Sequence, residues 1–291
     1  MKLTHSRAVA LMVLITLMWS IAGVVTRQLE AARSFEVTFW RSFFTVVSLL
    51  FILPFFQGRA FFSGICKGGP ALWLSGVCWS VMFTAFMVAL TLTSVANVLV
   101  TMAIGPFITA LLASVFIGHR IPPRTWLAIA VASAGIAWMY GGQMDLSSQV
   151  AGTLVALMVP FAGACNWTVV QHSRTHGKNV DLVPAVLVGA VISSLATLPL
   201  ALPFSATPHD IGLLALLGLV QLAIPCVLAV KCASVLKAPE VALLALLEVI
   251  FGILLAWVGA NEEPGASVLT GGALVIGALV VNELIGWRQR A

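Results

Sequence analysis

The run KAPEVALLALLEVIFGILLAWVG, residues 237–259, is long and apolar enough to cross a bilayer as a helix, and it carries a carboxylate, Glu248, at its middle. A hydrocarbon core about 30 Å thick takes about 20 helical residues. An acidic side chain at that depth opposes insertion by about 3 kcal/mol, so it turns to a partner or a wet cavity rather than to lipid. Whatever packs around this segment has to supply a polar interior.

The remaining chain is just as oily. Of its 291 residues 60% are hydrophobic and 9% charged, and the mean hydropathy is +1.08. A soluble domain of this size must cover itself with more polar surface. The composition therefore reads as a polytopic membrane protein. Ten apolar segments are predicted, near 8–26, 35–56, 71–92, 94–117, 125–140, 150–171, 182–203, 211–236, 238–258 and 267–287. The first runs past the length of a signal-peptide core and lacks an A-x-A site, so it is expected to stay as a helix. The formal charge of +5 matters less than where the charges fall. With the N-terminus inside, one side collects Lys2, Arg7, Arg59, Lys67, Arg120, Arg124, Arg174, Lys178, Lys237, Arg288 and Arg290. The other side holds only Arg27 and Arg33, beside Glu30, Glu36, Asp145, Asp210, Glu262 and Glu263. Basic residues gather on the cytoplasmic side, which predicts both termini there, in a bacterial inner membrane.

Self-comparison divides the chain in two, 1–141 and 142–291. TLTSVANVLVTMAIGPFITALLASVFIGHRI aligns with ASVLKAPEVALLALLEVIFGILLAWVGANEE, matching Asn97 to Glu240 and Leu111-Leu112-Ala113 to Leu254-Leu255-Ala256. LMWSIAGVVTR near the start matches ACNWTVVQHSR in the sixth segment. Five helices per half is an odd number, so the halves must insert with opposite orientation. Such inverted repeats place a substrate site near the bilayer midplane. The expected architecture is an all-α membrane protein, ten transmembrane helices in two inverted five-helix repeats.

The run S-x-L-K-A-P-E-x-A-L-L-x-L-L-E-V-x-F-G-x-L-L-A-W, the Glu262-Glu263 turn and the Gly271-Gly272-Ala273 helix resemble the drug/metabolite transporter superfamily, in its ten-helix EamA-type branch. Arg41 in FEVTFWRSFF and Trp19-Ser20 match further family positions. The resemblance spans essentially the whole chain and is closest to bacterial exporters of aromatic amino acids. It implies a secondary transporter, not an enzyme, with amino acids as substrates and hydrophobic cations or drugs as the alternative. One departure weakens any symmetrical coupling role. The family's Glu-Pro pair is split here into Glu248-Val249 and Gly105-Pro106.

Several residues are candidates for lining a central cavity between helices one, three, four, six, eight and nine. Trp19, Trp79, Phe83 and Trp167 offer an aromatic wall, suited to stacking on rings or cations. Ser20, Asn97, Thr101 and Asn166 offer neutral hydrogen-bonding groups. Glu240, Leu244, Glu248 and Gly252 recur every four residues and share one face of an unbroken helix. For Glu248 the functional readings are proton coupling or an ion pair with a substrate ammonium; the structural one is a hydrogen bond between helices. Gly105, Pro106, Pro160 and Pro225 are candidate kinks or hinges. Arg41 reads first as a side chain snorkelling outward beside Glu36, and second as an anchor for a carboxylate. Ala130/Ala134 and Ala273/Gly277 are small pairs suited to close packing or dimerisation. A monomer and a homodimer are both compatible with them.

No cofactor or metal is expected. The five cysteines show no CxxC spacing, and all five histidines are expected in tails or loops. No P-loop, HExxH or GxSxG sequence occurs, and an intramembrane enzyme would need more acidic, His or Cys groups at depth than Glu248 alone.

Overall fold

A computed structural model describes residues 3–26, 28–57, 65, 68–92, 98, 101–102, 104–118, 121–140, 150–175, 181–260 and 266–288. The described chain is all helical, in ten successive passes. They are α1 (His5–Thr26), α2 (Ser34–Gln57), α3 (Gly69–Leu92), α4 (Gly105–Ile117), α5 (Pro123–Tyr140), α6 (Val150–Thr175), α7 (Pro184–Ala201), α8, α9 and α10 (Ala266–Arg288). α8 is built of three pieces, Pro208–Leu216, a π-helical Leu217–Ala223 and Ile224–Ala233; α9 of two, Ala238–Ala245 and Leu247–Ala260. Six of these passes are individually long and apolar enough to span a bilayer. Asn97, Cys66 and the Glu262-Glu263 turn lie outside the described residues.

Packing repeats the two-fold relation of the halves. α3 lies against α6 and α7 just as α8 lies against α1 and α2. α4 lies on α6 as α9 lies on α1, while α2 pairs with α7 and α5 with α10, each with its own counterpart. Glycine makes the central crossings possible. A Cβ on Gly189 would meet the Gly76 carbonyl of α3 at 2.8 Å and the Ser80 nitrogen at 3.0 Å. At the corresponding crossing of the other half, a Cβ on Gly218 would stand 2.6 Å from Phe44 Cβ and 2.9 Å from the Arg41 carbonyl. Ser193 of α7 ties the inner helices together, with its Oγ 3.0 Å from Ser42 Oγ and 2.9 Å from Thr84 Oγ1.

The small pairs singled out in the sequence do not make the α5–α10 contact. Ala130, Ala134, Ala273 and Gly277 are all exposed. Close approach comes one residue along instead, where Gly135 faces the Gly271 carbonyl, with Ala128, Ile129 and Ala132 packed near Val275 and Leu279. His5, His172 and His209 also sit inside helix-terminal turns rather than in tails or loops.

Both ends of the bundle are stitched by side chains that accept backbone hydrogens. At the end bearing the chain termini, Gln171 Oε1 accepts from Ala238 N at 2.7 Å. Nearby, Glu240 accepts from Lys237 N at 3.2 Å and from His5 at 3.4 Å, so it caps the start of α9. At the opposite end Asp210 accepts from Glu30, Ala31 and Ala32 nitrogens at 2.8–3.1 Å. Glu36 accepts from Ser205 and Ala206 nitrogens at 2.8–3.0 Å. These two carboxylates lock the α1–α2 link onto the α7–α8 link. Hydrogen bonds to a charged acceptor contribute about 1.5–3 kcal/mol each. Asp210→Ala should therefore lower the thermal midpoint of the detergent-purified protein by several degrees; an unchanged melting curve would show that the α1–α2 link is held otherwise.

Candidate functional site

Helix interruptions build the site. α9 is not one helix: Leu246 N bonds Leu243 O at 3.2 Å and Val249 N bonds Leu246 O at 3.1 Å, an i→i+3 step that starts a new helix at Leu247. The four-residue stripe expected from an unbroken helix is thereby twisted apart. Glu240 stays at the terminus-bearing end, Leu244 is buried in the core, and Gly252 has nothing within 4 Å of a notional Cβ. Ala242, Ala245, Leu246, Glu248 and Val249 instead face one cavity. The alignment that pairs Asn97 with Glu240 pairs Gly105 with Glu248, so α4 begins within one residue of the repeat position at which the second piece of α9 begins. There Ile104 N bonds Thr101 O at 3.4 Å and Pro106 takes the first turn of α4. Proline at that position lacks an N–H that the helix start would leave unbonded anyway. Two half-helices thus begin at nearly equivalent points beside the cavity and run opposite ways.

A third interruption lies in α8. Pro225 cannot donate to the carbonyl of Gln221, four residues before it, and its ring would collide there in a regular helix. The chain answers with a π-helical segment, in which Ile224 N reaches back to Leu219 O. That widening turns Gln221 and Leu222 to the cavity, with Cys226 beyond. Pro225 itself is buried and does not line it.

The cavity has a volume of about 150 Å³, far above the ~10–15 Å³ that one water requires. It is lined from seven helices, the six expected and α2. Trp19 of α1, Trp79 and Phe83 of α3, and Trp167 of α6 form much of the wall. Trp79 meets Trp167 edge-on at 5.6 Å between ring centres, and Phe83 at 5.5 Å. Trp19 and Cys226 line the same space. Met82, Phe86, Met102 and Thr109 add to the lining, with Gly105, Pro106 and Pro160 at the helix starts and bends.

Three neutral polar candidates stand elsewhere. Ser20 is buried with its Oγ donating to Leu17 O at 2.7 Å, a bond within its own helix. Asn166 is fully buried and accepts from Ser75 Oγ at 2.6 Å, joining α6 to α3. Thr101 is buried and is not among the lining residues. Asn166 is spent on a helix contact, with its Nδ2 buried and, among the described residues, unpartnered.

Arg41 corrects the simpler sequence reading. It does not snorkel towards Glu36, whose carboxylate is committed to the α7–α8 link. Arg41 is 1% exposed, lines the cavity, and donates from Nη2 to the Phe83 carbonyl at 2.8 Å. Its placement follows from the α2–α8 crossing: Thr45 Oγ1 donates to the carbonyls of Arg41 and Gly218 at 2.8 and 3.1 Å, pinning α2 to the π-helical segment. Glu248 is half-buried and faces the same space. Gln221, Met82, Phe86 and Met102 were not singled out in the sequence. The spacing of Trp79, Met82, Phe83 and Phe86 as one helical face, and the distance from Gln221 to Pro225, were the available signals.

A ten-pass bundle of two inverted halves, with an aromatic cavity at the helix breaks, is an architecture that membrane transporters use. A family model of EamA-like transporters matches residues 6–141 and again 150–283. The chain belongs to the EamA-like transporter family and is a multi-pass membrane protein. It is similar to the Pseudopaline exporter CntI of two Pseudomonas aeruginosa strains, UCBPP-PA14 and PAO1, at 25% identity over 274 residues and 94% of each chain. A solved protein crystal structure, 17% identical, superposes with a TM-score of 0.77 over 97% of this chain and 99% of its own, a likeness of fold.

Gly218 and Gly252 give a paired test of the crossing. Gly218→Leu should lower thermal stability in detergent markedly, because the new side chain meets α2 backbone. Gly252→Ala meets open space inside a helix and should leave stability unchanged or raise it by up to about 1 kcal/mol. Equal melting curves for wild type and Gly218→Leu would contradict the crossing described.

Proposed function

We propose that the protein is a secondary exporter that carries amino acids with aromatic or bulky apolar side chains, and related metabolites, across the bacterial inner membrane by alternating access. In this reading both termini face the cytoplasm, as the basic-residue asymmetry of the links suggests. The observation that carries it is the composition of the cavity. Indole, phenyl and thioether groups surround a space holding one guanidinium and one carboxylate, which suits a small zwitterion with an apolar body. The similarity to a protein named as an exporter supports the direction of transport. A hydrophobic-cation exporter is the other reading for this fold. Arg41 counts against it, since a lone cation entering the cavity would meet a buried like charge.

Glu248 is the one carboxylate among the lining residues, so it is the group through which a proton gradient would be coupled to export. Counterflow of radiolabelled amino acids in proteoliposomes tests the function directly. Phenylalanine, tryptophan or leucine should exchange, and Glu248→Gln should slow exchange by at least about tenfold and flatten its pH dependence. A purified, folded protein that moves no amino acid with either gradient imposed would refute the reading. Unchanged exchange and pH profile in Glu248→Gln would return that carboxylate to a structural role.

A further inference from the structure

We propose that Arg41 and Glu248 are the two poles of a zwitterion clamp, the guanidinium receiving a substrate carboxylate and Glu248 a substrate ammonium, so that a ligand must carry both groups to be held. The proposal deepens the exporter reading and takes its ligand from it.

The cavity contains polar atoms that the protein itself leaves unanswered. Arg41 uses one nitrogen on the Phe83 carbonyl, while its Nε–H is buried and has no partner. The Trp79 indole nitrogen, also buried, donates to nothing. Gln221 Oε1, in a side chain 4% exposed, accepts from nothing. All three belong to residues of the same lining as Glu248. A buried donor or acceptor without a partner is destabilising, and a buried guanidinium more so. Among the described residues no ion pair within 4 Å closes Arg41 onto Glu248. Donors and acceptors are therefore both available to a guest.

The ligand chemistry follows from the count of charges. A carboxylate fits a guanidinium as a paired acceptor, and an ammonium supplies the three donors that a carboxylate and an amide oxygen can take. An amine without the acid would leave Arg41 unpaired beside a new cation. An acid without the amine would leave Glu248 facing a like charge. Sites built around buried polar groups reject analogues that lack the matching group far more strongly than apolar walls sort side chains by size. The clamp thus accounts for strictness at the α-carbon, and the tryptophan, phenylalanine and methionine wall for tolerance beyond it. Its poles also come from different halves, Arg41 from the first and Glu248 from the second, so a clamped ligand bridges the two repeats whose exchange would move it.

The test measures binding on the full-length purified protein, by quenching of tryptophan fluorescence and by thermal shift, with phenylalanine, 2-phenylethylamine and 3-phenylpropionate. Wild type should bind phenylalanine at least about tenfold more tightly than either analogue. Glu248→Gln should lose the preference over 3-phenylpropionate, and Arg41→Met the preference over 2-phenylethylamine. Should Arg41→Met fail to fold, Arg41→Lys keeps the charge without the planar fork and should weaken phenylalanine while leaving the amine unchanged. Equal affinity of wild type for all three compounds, binding of none, or variants that keep the wild-type order would overturn the clamp. Counterflow separates the two readings. Selective binding without transport keeps the clamp and removes the exporter, whereas phenylalanine exchange with indifference to the analogues does the reverse.

Discussion

A backbone group released inside a bilayer has no water to turn to, so every break in a spanning helix must lie where protein or a wet hollow can answer it. Three central helices of this protein break, and all three do so around one cavity. α4 and α9 restart within one residue of the same repeat position, at Gly105 and Leu247, and α8 widens into a π-helix ahead of Pro225. The breaks bring Met102, Gln221 and Glu248 to a common space that straight helices would have scattered. Each restarted helix also presents an N-terminus to the centre, whose partial positive charge favours the carboxylate of Glu248 in the first turn of its segment.

The rest of the bundle serves to hold those broken helices in register. Glycine crossings at Gly76, Gly189 and Gly218 let α3 and α8 lie close against their partners, which sets the depth of Trp79 and Phe83 on one side and of Arg41 on the other. Arg41 is the costly member of this arrangement. Its guanidinium is fully buried with a single carbonyl partner, and apolar packing of similar volume would be the more stable choice. A residue kept under that penalty is better explained by what enters the cavity than by what it does for the fold.

The halves are alike in path and unlike in chemistry. Where the second half carries Glu248, the first has Gly105, and the acidic pole therefore has no twin. Arg41 in the first half supplies the opposite sign. The asymmetry makes the two repeats complementary rather than equivalent, with one positive and one negative wall around a largely apolar space.

The oily length of the segments, their number and their duplication were set by the sequence alone, because transfer of apolar residues into lipid and the length of a helical crossing depend only on local composition. The aromatic residues Trp19, Trp79, Phe83 and Trp167, and Glu248 among them, could be placed in a shared cavity from depth and repeat position. Tertiary structure decided the rest. Neither Leu246 nor its neighbours is Gly or Pro, so nothing local announces the break that separates Glu248 from Leu244 and Glu240. Ser20 and Asn166 have the composition of lining residues, but Ser20 bonds within its own helix and Asn166 bonds α3, and which face of a helix meets a neighbour is settled only by that neighbour. Arg41 and Glu36 lie close in the chain and look like partners. Only the packed bundle, which gives Glu36 the α7–α8 link and Arg41 the interior, shows that a carboxylate with better backbone donors elsewhere leaves the guanidinium to the cavity.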